Sequence, residues 1–127
     1  MYEGHGDISL RWNNDLLIIE AHGPFNEIGV QNCLSKIQKS IESKNLKIWR
    51  KLDLWDDDSF GSPAVMSFVK TAGQWYMDNG CYASAIVICN SVQESIFKNA
   101  NQEGPQFFYD KETALKWLNE KHITSKY

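Results

Sequence analysis

Apolar and β-branched residues are concentrated in two short runs near the start of the chain, residues 8–12 and 16–21. The runs are separated by Asn13, Asn14 and Asp15, and these residue types tolerate the left-handed backbone conformations of tight turns. Gly23-Pro24 then breaks the second run. The pattern predicts a β-hairpin.

The spacing of apolar residues next changes to that of a helix. Asn26 is an N-cap residue type, and Asn45, after Lys44, is suited to the left-handed conformation of a C-cap. Between them, four apolar residues recur at steps of four, three and four, which places them on one face of a predicted first helix: Val30, Leu34, Ile37 and Ile41.

A second helix is predicted to begin at Ser62-Pro63 and to end at Asn79-Gly80. Serine is a preferred N-cap, and proline suits the first turn because its missing N–H has no helical partner there. The helix carries a buried stripe with two aromatic residues beside it: Val65, Val69, Ala72 and Tyr76, flanked by Phe68 and Trp75.

Strands are predicted before and after the second helix. Residues 48–54 form the third strand, and the nearly continuous apolar run 82–89 has the pattern of a strand covered on both faces. That run is therefore expected at the centre of a parallel sheet.

The remainder of the chain predicts a short helix, a strand and a last helix. Residues 91–94 match a capping box, in which Ser91 and Glu94 satisfy free backbone N–H groups. The short helix is expected to bury Ile96, Phe97 and Ala100. After a loop at 101–105 and a strand at 106–109, Asp110 caps a last helix that carries Leu115, Trp117 and Leu118.

This order of elements indicates one α/β domain over residues 1–127. A hairpin followed by alternating helices and strands requires a mixed, mostly parallel sheet. We predict five strands, of which the first is antiparallel, and about four helices.

Composition narrows the function. The chain has a net charge of −3 and no basic cluster, which argues against nucleic acid as a partner. Its start lacks the features of a signal peptide, and the apolar run 82–89 is too short to span a bilayer, so we expect a cytoplasmic protein. Three cysteines without a C-x-x-C pair predict neither disulfides nor a zinc site, and each is expected to be buried.

Ligands of open parallel sheets bind beyond the carboxyl ends of the strands. Segments 22–25, 53–62 and 90–91 are predicted to meet there. The run 56–58 is acidic but lacks the spacing of a calcium loop, so we interpret it as a solvated loop before a helix and predict no metal. We find no nucleophile or nucleotide motif, and therefore predict no catalytic residue and no cofactor. An enzyme built on His22, Asp53 and Asp58 has no support from spacing.

Aromatic residues are a second source of candidates. Trp49, Trp55, Phe60 and Trp75 cluster around the third strand and the second helix, and the core is their default location. If several were exposed, they would form a patch for a partner, a lipid or a membrane surface. Trp55 and Phe60, beside the acidic run, are the main candidates.

Three segments resemble the STAS domain, in particular its SpoIIAA-like branch. The first is Leu52-Asp53-Leu54 with the loop Asp58-Ser59-Phe60-Gly61, which is similar to the D-L strand end and D-S-S-G loop of that family. The second is the strand and short helix over 86–97, and the third, 107–118, resembles the ending "strand, D-x-x-x-A-L-x-W-L".

The resemblance implies a non-enzymatic domain. In the anti-sigma-factor antagonists of this family, a partner kinase phosphorylates the second serine of the loop. Phe60 occupies that position here, so Ser59 and Ser62 are the candidate phosphorylation sites.

Two functions follow from these observations. The first is a regulatory module, a monomer or a homodimer, that docks on a protein through the loop between the third strand and the second helix and through that helix: Trp55, Asp58, Ser59, Phe60, Gly61, Ser62, Phe68 and Trp75. The alternative is a small carrier of an apolar or lipid-like ligand, with peripheral membrane contact. Its ligand would occupy a cavity between the second helix and the sheet, lined by residues such as Phe68, Val69 and Trp75.

Overall fold

The computed structural model describes residues 3–59, 61–99 and 105–122. The predicted positions of Phe60, Ala100, the Phe97 side chain and most of the loop 101–105 lie outside what it describes. The elements, in chain order, are β1 (Asp7–Asn13), β2 (Leu16–His22), α1 (Glu27–Lys44), β3 (Trp49–Trp55), α2 (Pro63–Asp78), β4 (Cys81–Val87), α3 (Ser91–Asn99), β5 (Gln106–Phe108) and α4 (Lys111–Glu120).

The five strands form one sheet in the order β1-β2-β3-β4-β5. β1 pairs with β2 antiparallel, and the three pairs that follow are parallel. The predicted fold class is therefore confirmed. The apolar strand β4 was expected at the centre of the sheet. The middle strand is β3 instead, because β1 and β2 lie on one side of it and β4 and β5 on the other.

Helices cover both faces of the sheet. On one face, α1 and α2 pack over alternate residues of the strands, and the cluster contains Ile19, Ile37, Trp49 and Tyr76. On the other face, α4 packs through Ala114 and Leu118 on Leu52 and its neighbours. No helix among the described residues is both long enough and apolar enough to cross a membrane.

The ends of α1, α2 and α4 follow the local signals in the sequence. The Asn26, Ser62 and Asp110 side chains each accept a hydrogen bond from a backbone N–H in the first turn of the helix that they precede. Asn45 adopts the left-handed conformation, with φ of 54°, and its N–H bonds back to the Ile41 carbonyl. The predicted caps of these helices are confirmed.

The cap of α3 was predicted wrongly. Ser91 is the first residue of the helix, and Asn90 before it accepts a hydrogen bond from the Gln93 N–H at 3.0 Å. Glu94 bonds to the Tyr109 hydroxyl instead of closing a capping box. The chain offers two adjacent cap residues, and the end of the preceding strand decides which of them is used.

Burial of the cysteines was predicted correctly for Cys33 and Cys81 and wrongly for Cys89, which is exposed. Cys89 lies beyond the last residue of β4, Val87, where the chain has already left the sheet. Its thiol lies 2.9 Å from the Trp55 carbonyl oxygen at the top of β3.

An arginine joins the hairpin turn, β3 and α4. The Arg50 guanidinium makes two hydrogen bonds to the Asp15 carboxylate, at 2.7 and 3.2 Å, and a third to the Leu118 carbonyl at 3.0 Å. Two parallel bonds to one carboxylate fix both partners in direction as well as distance. Arg50 is therefore a structural tie at the α4 face.

Candidate functional site

The three segments predicted to meet at the carboxyl edge of the sheet do meet there. The backbone N–H of Gly23, after β2, donates to the Asp56 carboxylate at 3.2 Å. The Asn90 side chain, after β4, lies 3.4 Å from the Asp57 carbonyl. The β3–α2 loop, residues 56–62, is thus held between the ends of the two neighbouring strands.

Asp56 is the centre of the loop. Its carboxylate accepts hydrogen bonds from the N–H groups of Gly23 and Asp58 and lies 2.6 Å from the Ser59 hydroxyl. Burial acts to raise the pKa of Asp56, but these donors and the nearby His22 outweigh it and hold the pKa below its ordinary value. The carboxylate is ionised and serves the loop itself.

Ser59 is buried beneath the loop, with 2% of its surface exposed. Its hydroxyl accepts a hydrogen bond from the Asp56 N–H and lies 3.0 Å from the Ala21 carbonyl as well as close to the Asp56 carboxylate. In this conformation the hydroxyl is committed to internal contacts. Ser62, in contrast, is exposed and caps α2 through the Val65 N–H at 3.3 Å.

Gln93 holds the β3–α2 loop through hydrogen bonds on its inner side. The sequence analysis did not predict this role. The side chain is fully buried; its amide donates to the Asp56 carbonyl at 2.8 Å and accepts from the Cys89 N–H at 2.8 Å. A buried glutamine must satisfy both ends of its amide. The only sequence signal was its place in the first turn of α3, which does not reveal partners 37 residues away.

The three consecutive aspartates have different roles. Asp56 is turned inward, whereas Asp57 and Asp58 are exposed. His22 lies 3.7 Å from the Asp56 carboxylate and is half exposed. Across the described ranges, no three His, Cys, Asp or Glu side chains converge as metal ligands would. The arrangement is a hydrogen-bonded loop with an acidic outer surface.

The remaining predicted site residues do not all lie together. Trp55 ends β3 and packs with Phe107 on the small cluster of Ile86 and Ile88. Phe68 is half-buried on α2. Trp75 is 13 residues beyond Ser62, roughly 20 Å along the helix axis, and packs edge-on against Tyr76 at 5.8 Å. Trp75 therefore packs with Tyr76 and Trp49 toward the other end of the sheet.

A cavity of about 100 Å³, partly open to solvent, lies beneath the loop between α1, α2 and the sheet. Val69 lines it as predicted, together with Trp55 and Ser59, but the prediction was wrong for Phe68 and Trp75, which are not lining residues. It adjoins a wider, open cleft of about 800 Å³ along α2 and the start of β4, and Lys51, Tyr76 and Pro105 line both spaces. We call the smaller space the inner cavity.

One wall of the inner cavity carries an ion pair that sequence reasoning missed. Lys51 and Asp53 project from β3 toward α2, and their charged atoms lie 2.8 Å apart with both side chains almost fully buried. Burial opposes the charge of Lys51, but the Asp53 carboxylate outweighs it and raises the pKa of Lys51 to about 12. The Lys51 ammonium also lies 4.4 Å from the centre of the Tyr76 ring.

The structure has close counterparts among known proteins. An uncharacterized protein of the DUF3478 family from Shewanella loihica PV-4, described as having a SpoIIAA-like fold, superimposes with a TM-score of 0.63 over 93% of this chain and 97% of its own, at 18% identity. The anti-sigma factor antagonist SpoIIAA, in its unphosphorylated form, gives a TM-score of 0.61 over 92% of this chain and 100% of its own, at 14% identity.

The fold is SpoIIAA-like. No protein-family model and no curated protein matches the sequence. At these identities the structural matches establish the SpoIIAA-like fold, as the quoted segments predicted, and the site must be argued from this chain's own residues.

Proposed function

We propose that this protein is a non-enzymatic regulatory module that docks on a partner protein through the β3–α2 loop and the first turns of α2. The observation that carries the proposal is the internal satisfaction of the loop by Asp56, Ser59 and Gln93. A loop held in one conformation loses little entropy on binding, which favours recognition. The outer residues of the β3–α2 loop, including Asp57, Asp58 and Ser62, are exposed and can contact a partner protein.

The similarity to SpoIIAA supports this choice, since that protein is named as an anti-sigma factor antagonist. The positions of the polar side chains also support a non-enzymatic role. His22 contacts Asp56 at the edge, whereas Asp53 pairs with Lys51 in the interior. These groups face different partners instead of one reacting point.

The exposed carboxylates give the proposed docking surface a negative charge. Asp57 and Asp58 lie on the outside of the loop, and the sequence of residues 56–62 contains no Lys, Arg or His. We expect the partner to present Lys or Arg against this loop, because complementary charge steers association and fixes orientation. Phosphorylation at Ser62 would add charge of the same sign beside it and would change the surface that the partner meets.

Chemical cross-linking in cells of the source organism, followed by mass spectrometry, tests the docking surface. We expect cross-linked partner peptides at the loop, and loss of that partner in Asp58→Lys. Glu42→Lys on α1 is the matched control, since it makes the same charge change at another exposed site. Equal loss in both variants, or partner peptides only on other surfaces, would contradict docking through the loop.

A second function, carriage of a small apolar ligand, is favoured by the inner cavity. Apolar side chains make up most of its wall, including Ile19, Val30, Val65 and Ile86. Mass spectrometry of the protein purified from its own host, under native and then denaturing conditions, tests it. A bound mass that is present only in the native spectrum supports carriage, and a bare chain in both spectra contradicts it.

A further inference from the structure

The ion pair in the inner cavity is incompletely satisfied. Apart from the Lys51 ammonium, 2.8 Å away, Oδ2 of Asp53 has no hydrogen-bond partner among the described residues. Asp53 is 92% buried, as its exposed fraction is 8%. An ionised carboxylate accepts about four hydrogen bonds, and an ammonium donates three. Both groups therefore have unused capacity; Asp53 lines the inner cavity, and Lys51 lines both that cavity and the adjoining open cleft.

The rest of the wall offers few other polar contacts. The Ser59 hydroxyl is committed to Asp56 and Ala21, and the nearby Cys33 thiol lies 4.0 Å from the Gly6 carbonyl. Most other lining side chains are aliphatic or aromatic. The cavity thus has one polar corner and an apolar remainder, the usual composition of a small-molecule site.

The charges at that corner select the chemistry of the ligand. An anion attracted to Lys51 would be buried beside the Asp53 carboxylate, and a cation attracted to Asp53 would be buried beside the Lys51 ammonium. Either one would add a net charge in a low-dielectric interior, which is unfavourable. A neutral group that donates to Asp53 and accepts from Lys51 adds none, and a hydroxyl does both.

We propose that the inner cavity binds a small neutral alcohol or phenol, whose hydroxyl lies between Lys51 and Asp53 and whose hydrocarbon part occupies the apolar wall. This inference rests on the second proposed function, carriage in the inner cavity, and names its ligand class. The site lies directly beneath the docking loop, since Ser59 and Trp55 line it.

The size of the cavity limits the ligand. Its volume of about 100 Å³ is somewhat below that of an engineered apolar cavity, about 150 Å³, that admits benzene. Met66 lines the cavity, and its unbranched side chain adapts to the shape of what it contacts. The ligand is therefore no larger than a single ring or a short branched chain.

Phenol and toluene are the probes that test the proposal, since they differ by a hydroxyl in place of a methyl group. NMR titration of the full chain is expected to show both bound in the inner cavity, phenol at least about tenfold more tightly. The variant with Lys51→Met and Asp53→Leu keeps an apolar wall and is expected to lose this preference while still binding toluene. Val69→Phe fills the cavity and is expected to weaken both probes.

The outcomes separate the two levels of the inference. Equal binding of phenol and toluene by the native protein would overturn the hydroxyl site and leave the carrier function standing. Binding of neither probe would overturn both and leave the cavity to ordered water. A phenol preference that survives in the double variant would place the hydroxyl elsewhere and would also overturn the proposal.

Discussion

Arg50 and Lys51 are adjacent in the sequence, and because they lie on one strand they point to opposite faces of the sheet. Each forms an ion pair with an aspartate; the Lys51 pair is buried, and the Arg50 pair is partly buried because Asp15 is. Arg50 holds Asp15 with two hydrogen bonds and the Leu118 carbonyl with a third. The Lys51 ammonium lies 2.8 Å from Oδ2 of Asp53, and that oxygen has no further hydrogen-bond partner among the described residues.

The difference separates a structural pair from a candidate site. The Arg50 guanidinium makes three hydrogen bonds to the hairpin turn and α4, so it fixes how α4 and the hairpin sit on the sheet. The Lys51 pair borders a cavity and retains capacity. A buried ion pair is by itself weak evidence for a stabilising role. The surroundings of its unused donors and acceptors are a better indication of its function.

The largest expected effect comes from breaking the Lys51 pair. Asp53→Leu leaves the ammonium buried without its partner, and we expect the free energy of unfolding to fall by about 3–5 kcal/mol in urea titration. The double variant with Lys51→Met is expected to recover most of the loss, since an apolar pair replaces both charges. A double variant as unstable as the single one would show that this pair is structural.

The matching change on the other face should behave differently. Arg50→Met removes three hydrogen bonds, and we expect a loss of about 2–3 kcal/mol in the same titration. Adding Asp15→Met should recover less than half of it, because the Leu118 carbonyl still lacks its donor. Full recovery in this double variant would remove the distinction between the two pairs.

A smaller effect is expected for the loop that closes the cavity. Gln93→Met keeps the side-chain length but removes the donor to the Asp56 carbonyl and the acceptor of the Cys89 N–H. We expect a loss of about 2 kcal/mol and faster hydrogen exchange at the loop amides. Unchanged exchange at the Ser59 amide would show that the loop keeps its conformation without Gln93.

The smallest expected effect on stability is that of low pH, acting through the Arg50–Asp15 pair. Burial acts to raise the pKa of Asp15, but Arg50 and the Tyr82 hydroxyl outweigh it and hold the pKa below the ordinary value of 3.8. The unfolded chain therefore binds the proton first, and the contribution of Asp15 is complete above about pH 4 and is lost as the pH falls through its folded pKa. We expect Asp15→Asn to show a shallower loss of stability between pH 5 and 2, and parallel curves would contradict this assignment.

Features fixed by neighbouring residues could be predicted from the sequence. The caps at Asn26, Ser62 and Asp110 depend on a side chain and a backbone three residues away, and each was predicted. The order of elements followed from hydrophobic spacing, which reports on one helix or strand at a time.

Features fixed by distant partners could not be predicted. Alternation along β3 places Trp49, Lys51 and Asp53 on one face, but it does not show that helices cover the charged pair. Gln93 depends on a loop contact made across the sheet edge, and Cys89 on where β4 ends. The β3–α2 loop could be singled out from the sequence because it is both local and acidic, whereas the cavity beneath it arises only from packing between α1, α2 and the sheet.

The approach of Gly23 to the β3–α2 loop has a consequence for engineering. A Cβ atom at position 23 would collide with the backbone carbonyl of Asp58, which is not the end of a flexible side chain and so cannot simply swing aside. Alanine at this position would force the backbone at residue 23 and the β3–α2 loop apart without altering any residue of the loop. A single methyl group at position 23 therefore changes the position of the loop while the residues of the loop stay the same. The loop's shape and its chemistry can in this way be varied separately.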